Sequence, residues 1–527
     1  MKSVVNDTES ILDAYETWGE DCVNHLIGDF AFAIWDDRKK RFFCARDHFG
    51  VKPFFYTFID NEFTFSSSLN ELRLNPKVSN TLNEIAVGDY LLFGVNQDLS
   101  TTIFKDIQRL PPGHSLTVAN GSIRTRRYWT PENVNEVRFR KPESYVERFS
   151  ELLSLAVKDR VPTGRVAISM SGGLDSTSLA AIAREHGKDV HAFAVVYDKL
   201  IPDEERRYST LAANHLGIPI THLSADRYSL FDEQVPGDMN QPEPFLLAPL
   251  TAQFHGLLRL CANFSPVMLT GYDGDAFMNV PRPPRFRGVK AKVKNLLAQR
   301  GKRAATEGSP YSWLDESFVR RAGLMERWRK PSMNQASNAN PLWTALFEGY
   351  DPSSTRLNLE VRHPFIDVRL VEFLSAIPVR PWRINKHILR AAMKDKLPDA
   401  VLNRRKTPLA GSPALQLVRR ASVRWLDSFE VSPQLGAFVN IDRRRPVVEE
   451  ETSDLLWASL RVFALNYWLT NSQPTVRMSQ TQVKTISHAR PQSPRLPEHG
   501  DNAWNVNLKT PDRTRQTKSG SHITSRK

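Results

Sequence analysis

Apolar and polar positions alternate in two different ways along this chain, and the change comes near residue 140. Ahead of it stand short runs rich in aromatic residues, at residues 30–35, 41–45, 53–57 and 62–66, separated by polar turns. Such runs predict a strand meander, and a helical stretch over residues 7–18 precedes it. From Arg138-Phe139-Arg140-Lys141-Pro142 onward the spacing turns helical, with Tyr145, Phe149, Leu152, Leu153 and Ala156 on one face. Apolar runs at residues 166–168, 191–197, 218–223 and 266–270 then alternate with helical stretches, residues 177–184 and 203–217 among them. Strands alternating with helices of that length predict a parallel, doubly wound sheet whose ligands bind at the carboxyl ends of strands. The chain is read as α/β, with a β-rich N-terminal layer, the parallel sheet and a helical C-terminal part.

Composition narrows the class. With 527 residues, 41% hydrophobic and 24% charged, the chain has the make-up of a soluble globular protein of about three domains. Their expected limits are residues 1–130, 131–470 and a tail at 471–527. No apolar run reaches a membrane span, and the start Met1-Lys2-Ser3-Val4-Val5 lacks a signal-peptide core, so a cytoplasmic protein without a membrane partner is expected. Cys22, Cys44 and Cys261 show neither metal-ligand spacing nor a disulfide framework. The net charge of +13 points to nucleic acid until its location is considered. Nine Lys or Arg and no acid lie between Arg282 and Arg303, and residues 471–527 hold ten against three acids. The basic charge therefore belongs to an insertion, residues 281–340, and to a Ser-, Pro-, Thr- and Arg-rich tail expected to be disordered. No nucleic-acid partner follows from it.

The chemistry concentrates in Ser169-Met170-Ser171-Gly172-Gly173-Leu174-Asp175-Ser176, which follows Val166-Ala167-Ile168 and opens a helix. A strand, a Gly-rich turn and a helix in that order aim several backbone N–H groups and a helix N-terminus at one spot, an anion site. Small residues let a phosphate approach the backbone, and Ser171 and Ser176 add hydroxyl donors. A carboxylate there, Asp175, calls for Mg2+ between itself and the phosphate. The spacing is neither that of the Walker loop nor GxGxxG, which excludes an ordinary kinase or dehydrogenase. A second turn, Gly271-Tyr272-Asp273-Gly274-Asp275, ends the apolar run at 266–270 and supplies another ligand, Asp275.

Ser-Gly-Gly-x-Asp-Ser after a buried strand resembles the pyrophosphate loop of N-type ATP pyrophosphatases. Leu359-Glu360-Val361-Arg362-His363-Pro364-Phe365-Ile366-Asp367, then Lys386-His387-Ile388-Leu389-Arg390 and Asn403-Arg404-Arg405-Lys406, resemble the synthetase domain of the asparagine synthetase superfamily. Leu26-Ile27-Gly28-Asp29-Phe30, Arg46-Asp47-His48-Phe49-Gly50-Val51-Lys52-Pro53 and Ser66-Ser67-Ser68-Leu69-Asn70-Glu71 resemble the second half of a class II glutamine amidotransferase domain. The resemblance implies a partial Ntn-type αββα layer followed by an adenine nucleotide α-hydrolase-like sheet. It implies ATP and Mg2+ as cofactors. ATP and pyrophosphate would be bound by Ser169, Ser171, Gly172, Gly173, Asp175, Ser176, Val195, Gly271 and Lys406, and Mg2+ by Asp175 and Asp275. Lys406 would neutralise the α-phosphate and pyrophosphate as charge develops, and Asp7 would bind the α-amino group of glutamine. The implied reaction is attack of a carboxylate on the ATP α-phosphate, loss of pyrophosphate, and capture of the acyl adenylate by an amine. A small-molecule or peptide carboxylate, glutamine or ammonia, and a homodimer are the partners this implies.

The source of the amine divides the readings. The amidotransferase needs a nucleophilic cysteine at the mature N-terminus, with the free α-amine as base. Here Met1 is followed by Lys2, and the first cysteine is Cys22. Either the start is misplaced and the chain is longer, or glutaminase activity has been lost; the sheet edges left open by missing strands favour a misplaced start. Asparagine synthetases carry glutamate where Tyr272 stands, and another where Ala276 stands. Thr270-Gly271-Tyr272 instead resembles β-lactam synthetases, in which that tyrosine pairs with a downstream glutamate to deprotonate an amine already present in the substrate. Glu348 falls near that glutamate's place, so Tyr272 and Glu348 form a candidate general base. Lasso-peptide macrolactam synthetases are similar relatives, for which the basic insertion would dock a precursor. The expected function is an AMP-forming amide ligase of asparagine synthase (glutamine-hydrolysing) type acting on aspartate. Macrolactam or β-lactam closure is the alternative, and a non-catalytic regulator a third reading.

Overall fold

The computed structural model describes residues 7–132, 134–187, 189–232, 241–245, 247–272, 274–280, 312–329, 340–404, 412–443, 446–450, 452–471, 484–486 and 506–508. The N-terminal half opens with the helix Asp7–Trp18, as its spacing predicts, and then builds strands β1 (Leu26–Gly28), β2 (Ala31–Asp36), β3 (Arg41–Arg46), β4 (Phe55–Ile59), β5 (Glu62–Ser66), β6 (Gln108–Arg109), β7 (His114–Ala119) and β8 (Ser122–Arg127). One antiparallel sheet runs β2-β3-β7-β8, and a second contains β5-β4-β6. Strand β3 is buried on both faces because its period-two side chains meet different partners. Phe42 and Cys44 pack with Phe63, Leu116 and Val118 between the sheets, while Phe43 and Ala45 meet Ile11, Ala14 and Tyr15 of the first helix. Beyond the second sheet, Phe55 packs with Leu69, Val87 and Leu91, and with Val462 and Leu465 of the helix Ser453–Asn471. Helix, sheet, sheet, helix is thus the layer order, and the last layer is shared with the C-terminal helix.

The second half is organised by five parallel strands, β9 (Arg165–Ser169), β10 (Asp189–Val196), β11 (Ile220–Ser224), β12 (Val267–Thr270) and β13 (Glu360–Arg362), in the order β11-β10-β9-β12-β13. Val166 and Ile168 face a core with Leu152, Leu153 and Leu179, whereas Ala167 faces Leu258 and Cys261 of the helix Thr251–Phe264. Helices therefore cover both faces, which explains why these strands read as continuous apolar runs. From the central strand β9 the order grows toward β11 on one side and β13 on the other. The crevice at the carboxyl ends of β9 and β12 is the switch point where such sheets bind ligands.

Two differences from the sequence reading have local causes. The helix after the Gly-rich loop begins at Leu174 rather than 177, because Gly173 takes the extended cap conformation (φ −80, ψ 160) and the next residues already turn. Most of the tail expected to be disordered lies outside the described residues; those described beyond residue 471 are strands β14 (Lys484–Ile486) and β15 (Val506–Leu508), antiparallel to β5 and β1 respectively. The nine basic residues of the insertion lie outside the described residues, while the helices Glu316–Arg321 and Leu324–Arg329 lie within it. Among the described residues no helix is long and apolar enough to cross a membrane.

Candidate active site

Strand β9 ends at Ser169 and the chain turns through buried Met170, exposed Ser171 and buried Gly172 into the helix Leu174–Glu185. Gly172 has φ +68, and a Cβ there would stand 2.6 Å from the backbone nitrogen of Ser209. No larger residue fits, so the loop is pressed against the helix Glu205–Leu216. Ser176 Oγ accepts from the Ser171 N–H at 3.2 Å, tying the loop back on itself. The loop after β12 closes on the same spot. A Cβ on Gly271 would stand 2.6 Å from the backbone nitrogen of Ser176, and one on Gly274 would stand 3.0 Å from Asp175 Cγ. The two loops therefore meet backbone to backbone, and the helix Gly274–Met278 brings Asp275 toward Asp175.

The ammonium of Lys386 lies between these carboxylates. Lys386 Nζ pairs with Asp175 Oδ2 and, at 2.9 Å, with Asp275 Oδ1. Lys386 is buried and holds a left-handed conformation (φ 55, ψ 37) at the cap of the helix His387–Ala392. Its N–H donates to Met278 O at 3.0 Å, so the segment bearing the lysine is fastened to the helix bearing Asp275. Sequence reasoning missed Lys386 as a site residue, although it leads the motif Lys386-His387-Ile388-Leu389-Arg390. The signal was the need of two converging acids for a countercharge, which had been met on paper by Mg2+ alone. Mg2+ fits the donor set: it takes hard oxygen ligands and is commonly held by one or two carboxylates plus substrate phosphates. Two carboxylates from separate strands already converge on one point charge.

The remaining predicted residues divide. Val195, near the end of β10, is half-buried beside Tyr197 and Leu223, next to the strand that carries the loop. Tyr272 is 39% exposed, and its N–H donates to Thr270 Oγ1 at 3.2 Å. Asp7 is the first residue of the helix Asp7–Trp18. Lys406 lies outside the described residues, as does Asp273.

Glu348 has partners in the N-terminal half. It sits on the helix Pro341–Tyr350, buried, with Oε1 accepting from Arg109 Nε at 2.7 Å and Oε2 from Arg109 Nη2 at 2.9 Å. Arg46 Nη2 reaches Oε1 at 3.3 Å, and Arg109 also pairs with Glu243. Burial opposes the charge on Arg109, but Glu348 and Glu243 overcome it and raise its pKa. Both oxygens of Glu348 are thus engaged by guanidiniums of the N-terminal half, a forked ion pair that serves the join between halves.

The signature stretch around residue 360 is likewise built into ion pairs. Lys52 pairs with Glu360 at 2.7 Å; Arg160 bridges Asp29 at 3.0 Å and Asp367 at 2.6 Å; Arg369 pairs with Asp159 at 2.8 Å. Burial alone would raise the Asp367 carboxyl, yet Arg160 and Arg369 hold it down at about 2. His363, buried against Phe347 and Tyr350, is pushed down to about 3 by burial, with Arg160 and Lys52 adding to the effect. Burial pushes the thiols of Cys22 and Cys261 up to about 12 and raises that of Cys44 as well, so none of the three is a ready nucleophile.

Residues 3–129 match the family model of the glutamine amidotransferase domain, and residues 148–470 match that of asparagine synthase. The chain is similar to asparagine synthetase [glutamine-hydrolyzing] 3 of Bacillus subtilis (strain 168), 26% identical over 476 residues, covering 84% of this chain and 76% of that protein. Asparagine synthetase [glutamine-hydrolyzing] 2 of the same organism is 28% identical over 455 residues, covering 77% of this chain and 59% of the relative. Amidase chry2 of Gibberella zeae is 22% identical over 511 residues, covering 77% and 73%.

Proposed function

Because the chain belongs to the asparagine synthase family, with a glutamine amidotransferase domain ahead of the synthase domain, we propose that it activates a carboxylate with ATP as an acyl adenylate and converts it to an amide. Aspartate and ammonia are the substrates of the leading reading. The observation that carries it is the convergence of Asp175, Asp275 and Lys386 at the carboxyl ends of β9 and β12.

The chain's own groups have distinct tasks in this reaction. The turn from Ser169 to Gly173 offers backbone N–H groups and the Ser171 and Ser176 hydroxyls to the phosphates, with Val195 beside the adenine. The substrate carboxylate oxygen attacks the α-phosphorus, the bond to the bridging oxygen breaks, and pyrophosphate departs with its electron pair. Asp175 and Asp275 would hold Mg2+, which supplies charge neutralisation for the departing group. Lys386 keeps the two acidic loops in register before the metal enters, and Lys406 carries the cationic role implied by its motif. The amine then attacks the acyl carbon, AMP leaves, and the amine's proton passes to a base. Tyr272, at the exposed lip of the second loop, is placed on the amine side of this step.

A second reading takes the amine from the substrate itself, as in closure of a peptide macrolactam. Cys22, Cys44 and Cys261 are buried with thiols raised by burial, so none of these three releases ammonia from glutamine in either reading. Pyrophosphate release from ATP and Mg2+ with aspartate and ammonium separates the two. Aspartate-dependent release with asparagine formed supports the leading reading. Silence from folded protein that binds ATP rejects it in favour of a substrate carrying its own amine. In either case Asp175→Ala is expected to abolish pyrophosphate release, and retained turnover would remove the loop from the chemistry.

A further inference from the structure

The ammonium of Lys386 stands where a divalent ion would have to go. It contacts one oxygen of Asp175 and one of Asp275, the two carboxylates that the preceding reading gives to Mg2+. We propose that Lys386 is an exchangeable occupant of this cation site. In the metal-free protein it holds the two acidic loops together, and an entering divalent ion displaces it. The inference rests on the reading of Asp175 and Asp275 as the metal ligands.

Three features argue for exchange rather than a permanent bridge. First, the loops are pressed together: a Cβ on Gly271 or Gly274 would meet Ser176 or Asp175 at 3.0 Å or less. Two carboxylates forced so near one another repel, and a folded protein must supply a cation there even when no metal is bound. Second, the backbone of Lys386 is fixed, and its charge sits at the end of a four-carbon stem. The Lys386 N–H donates to Met278 O at 3.0 Å, and Lys386 O accepts from the Arg390 N–H at 3.0 Å, which fastens the residue in a left-handed conformation that a lysine seldom adopts. Four methylene groups then separate this anchor from the charge, enough to swing the ammonium aside without moving the chain. Third, a guanidinium would bind the acids in a rigid fork, whereas an ammonium is a compact point charge that a hard cation can replace on the same oxygens.

Occupancy by Lys386 has a measurable cost to metal binding, since an ion sees only the fraction of sites the lysine has vacated. Mn2+ binding to the full chain without nucleotide, read by electron paramagnetic resonance, tests this directly. Lys386→Met is expected to tighten Mn2+ binding by about tenfold, the factor that applies if the lysine holds the site about nine-tenths of the time. Unchanged or weaker binding in that variant overturns the exchange. Asp275→Asn serves to locate the site: if it leaves Mn2+ binding untouched, the metal reading itself is wrong; if it abolishes binding while Lys386→Met changes nothing, only the exchange falls. Should Lys386→Met fail to fold, the unaltered protein still decides the matter. Amine acylation followed by mass spectrometry is expected to label Lys386 several-fold faster with Mn2+ present than with a chelator, and equal labelling overturns the proposal.

Discussion

The sequence pairs Tyr272 with Glu348 as a candidate base, and the contacts of Glu348 point to a structural task besides. Tyr272 lies exposed in the turn after β12, while Glu348 is held by Arg46 and Arg109. The substitutions should therefore diverge. Tyr272→Phe is expected to slow amide formation more than adenylation, seen as pyrophosphate released without matching amide. Glu348→Gln leaves two buried guanidiniums short of their countercharge and is expected to cost about 3 kcal/mol of stability, read by urea unfolding. Matching effects of both on amide formation alone would restore the pair. His363 makes a different residue-scale prediction. Its ordinary value is 6.5 and in the fold it lies at about 3. Between those values the unfolded chain binds a proton that the folded one refuses. Stability is whole above pH 6.5 and falls as the pH drops through that window, by up to about 1.4 kcal/mol per unit. Measuring unfolding at pH 7 and pH 5, above the ordinary carboxylate range, should show this slope in the unaltered protein and a flatter one in His363→Phe. Identical slopes would discharge His363 from the effect.

At the scale of elements, the strands and helices were legible where burial enforces a period. The helix Asp7–Trp18 and strand β5 fall where the pattern put them, and β12 starts one residue later than expected. The Gly-rich loop was legible because its chemistry is local: turn, helix N-terminus and carboxylate are neighbours in the chain. Lys386 was not, because its role depends on a helix 211 residues away from Asp175 arriving at the same crevice, and no spacing rule encodes that. The partners of Glu348 were hidden for the same reason: a carboxylate counted from a motif shows none until Arg109 is placed beside it. The contact between loops supplies a prediction at this scale. Gly271→Ala puts a methyl 2.6 Å from a backbone nitrogen and must part the two loops. A loss of about a hundredfold in pyrophosphate release with the circular dichroism spectrum retained is expected; unchanged release would mean the loops need not touch.

Across the whole molecule, the amidotransferase wording acquires a reason independent of glutamine. Arg46, Lys52 and Arg109 neutralise Glu348, Glu360 and Glu243, and Asp29 completes the Arg160 bridge to Asp367. Asp29, Arg46 and Lys52 are residues of the motifs by which the N-terminal half is recognised, and with Arg109 they brace the strand and loop beside β12. The second layer of helices is shared as well, through Ser453–Asn471. Such a half can be retained for the sake of its neighbour. The strands β14 and β15 carry the same interdependence to the sheet edges, since they cover β5 and β1. Deleting residues 472–527 is expected to bare both edges and produce oligomers by light scattering; a monodisperse truncated protein would argue that the edges are protected otherwise. There is also an order in time. The N-terminal half is synthesised first, yet β1 and one edge of β5 find their partners, β15 and β14, only far later in the chain. During synthesis that half has to wait, with those edges open, for the segments that close them.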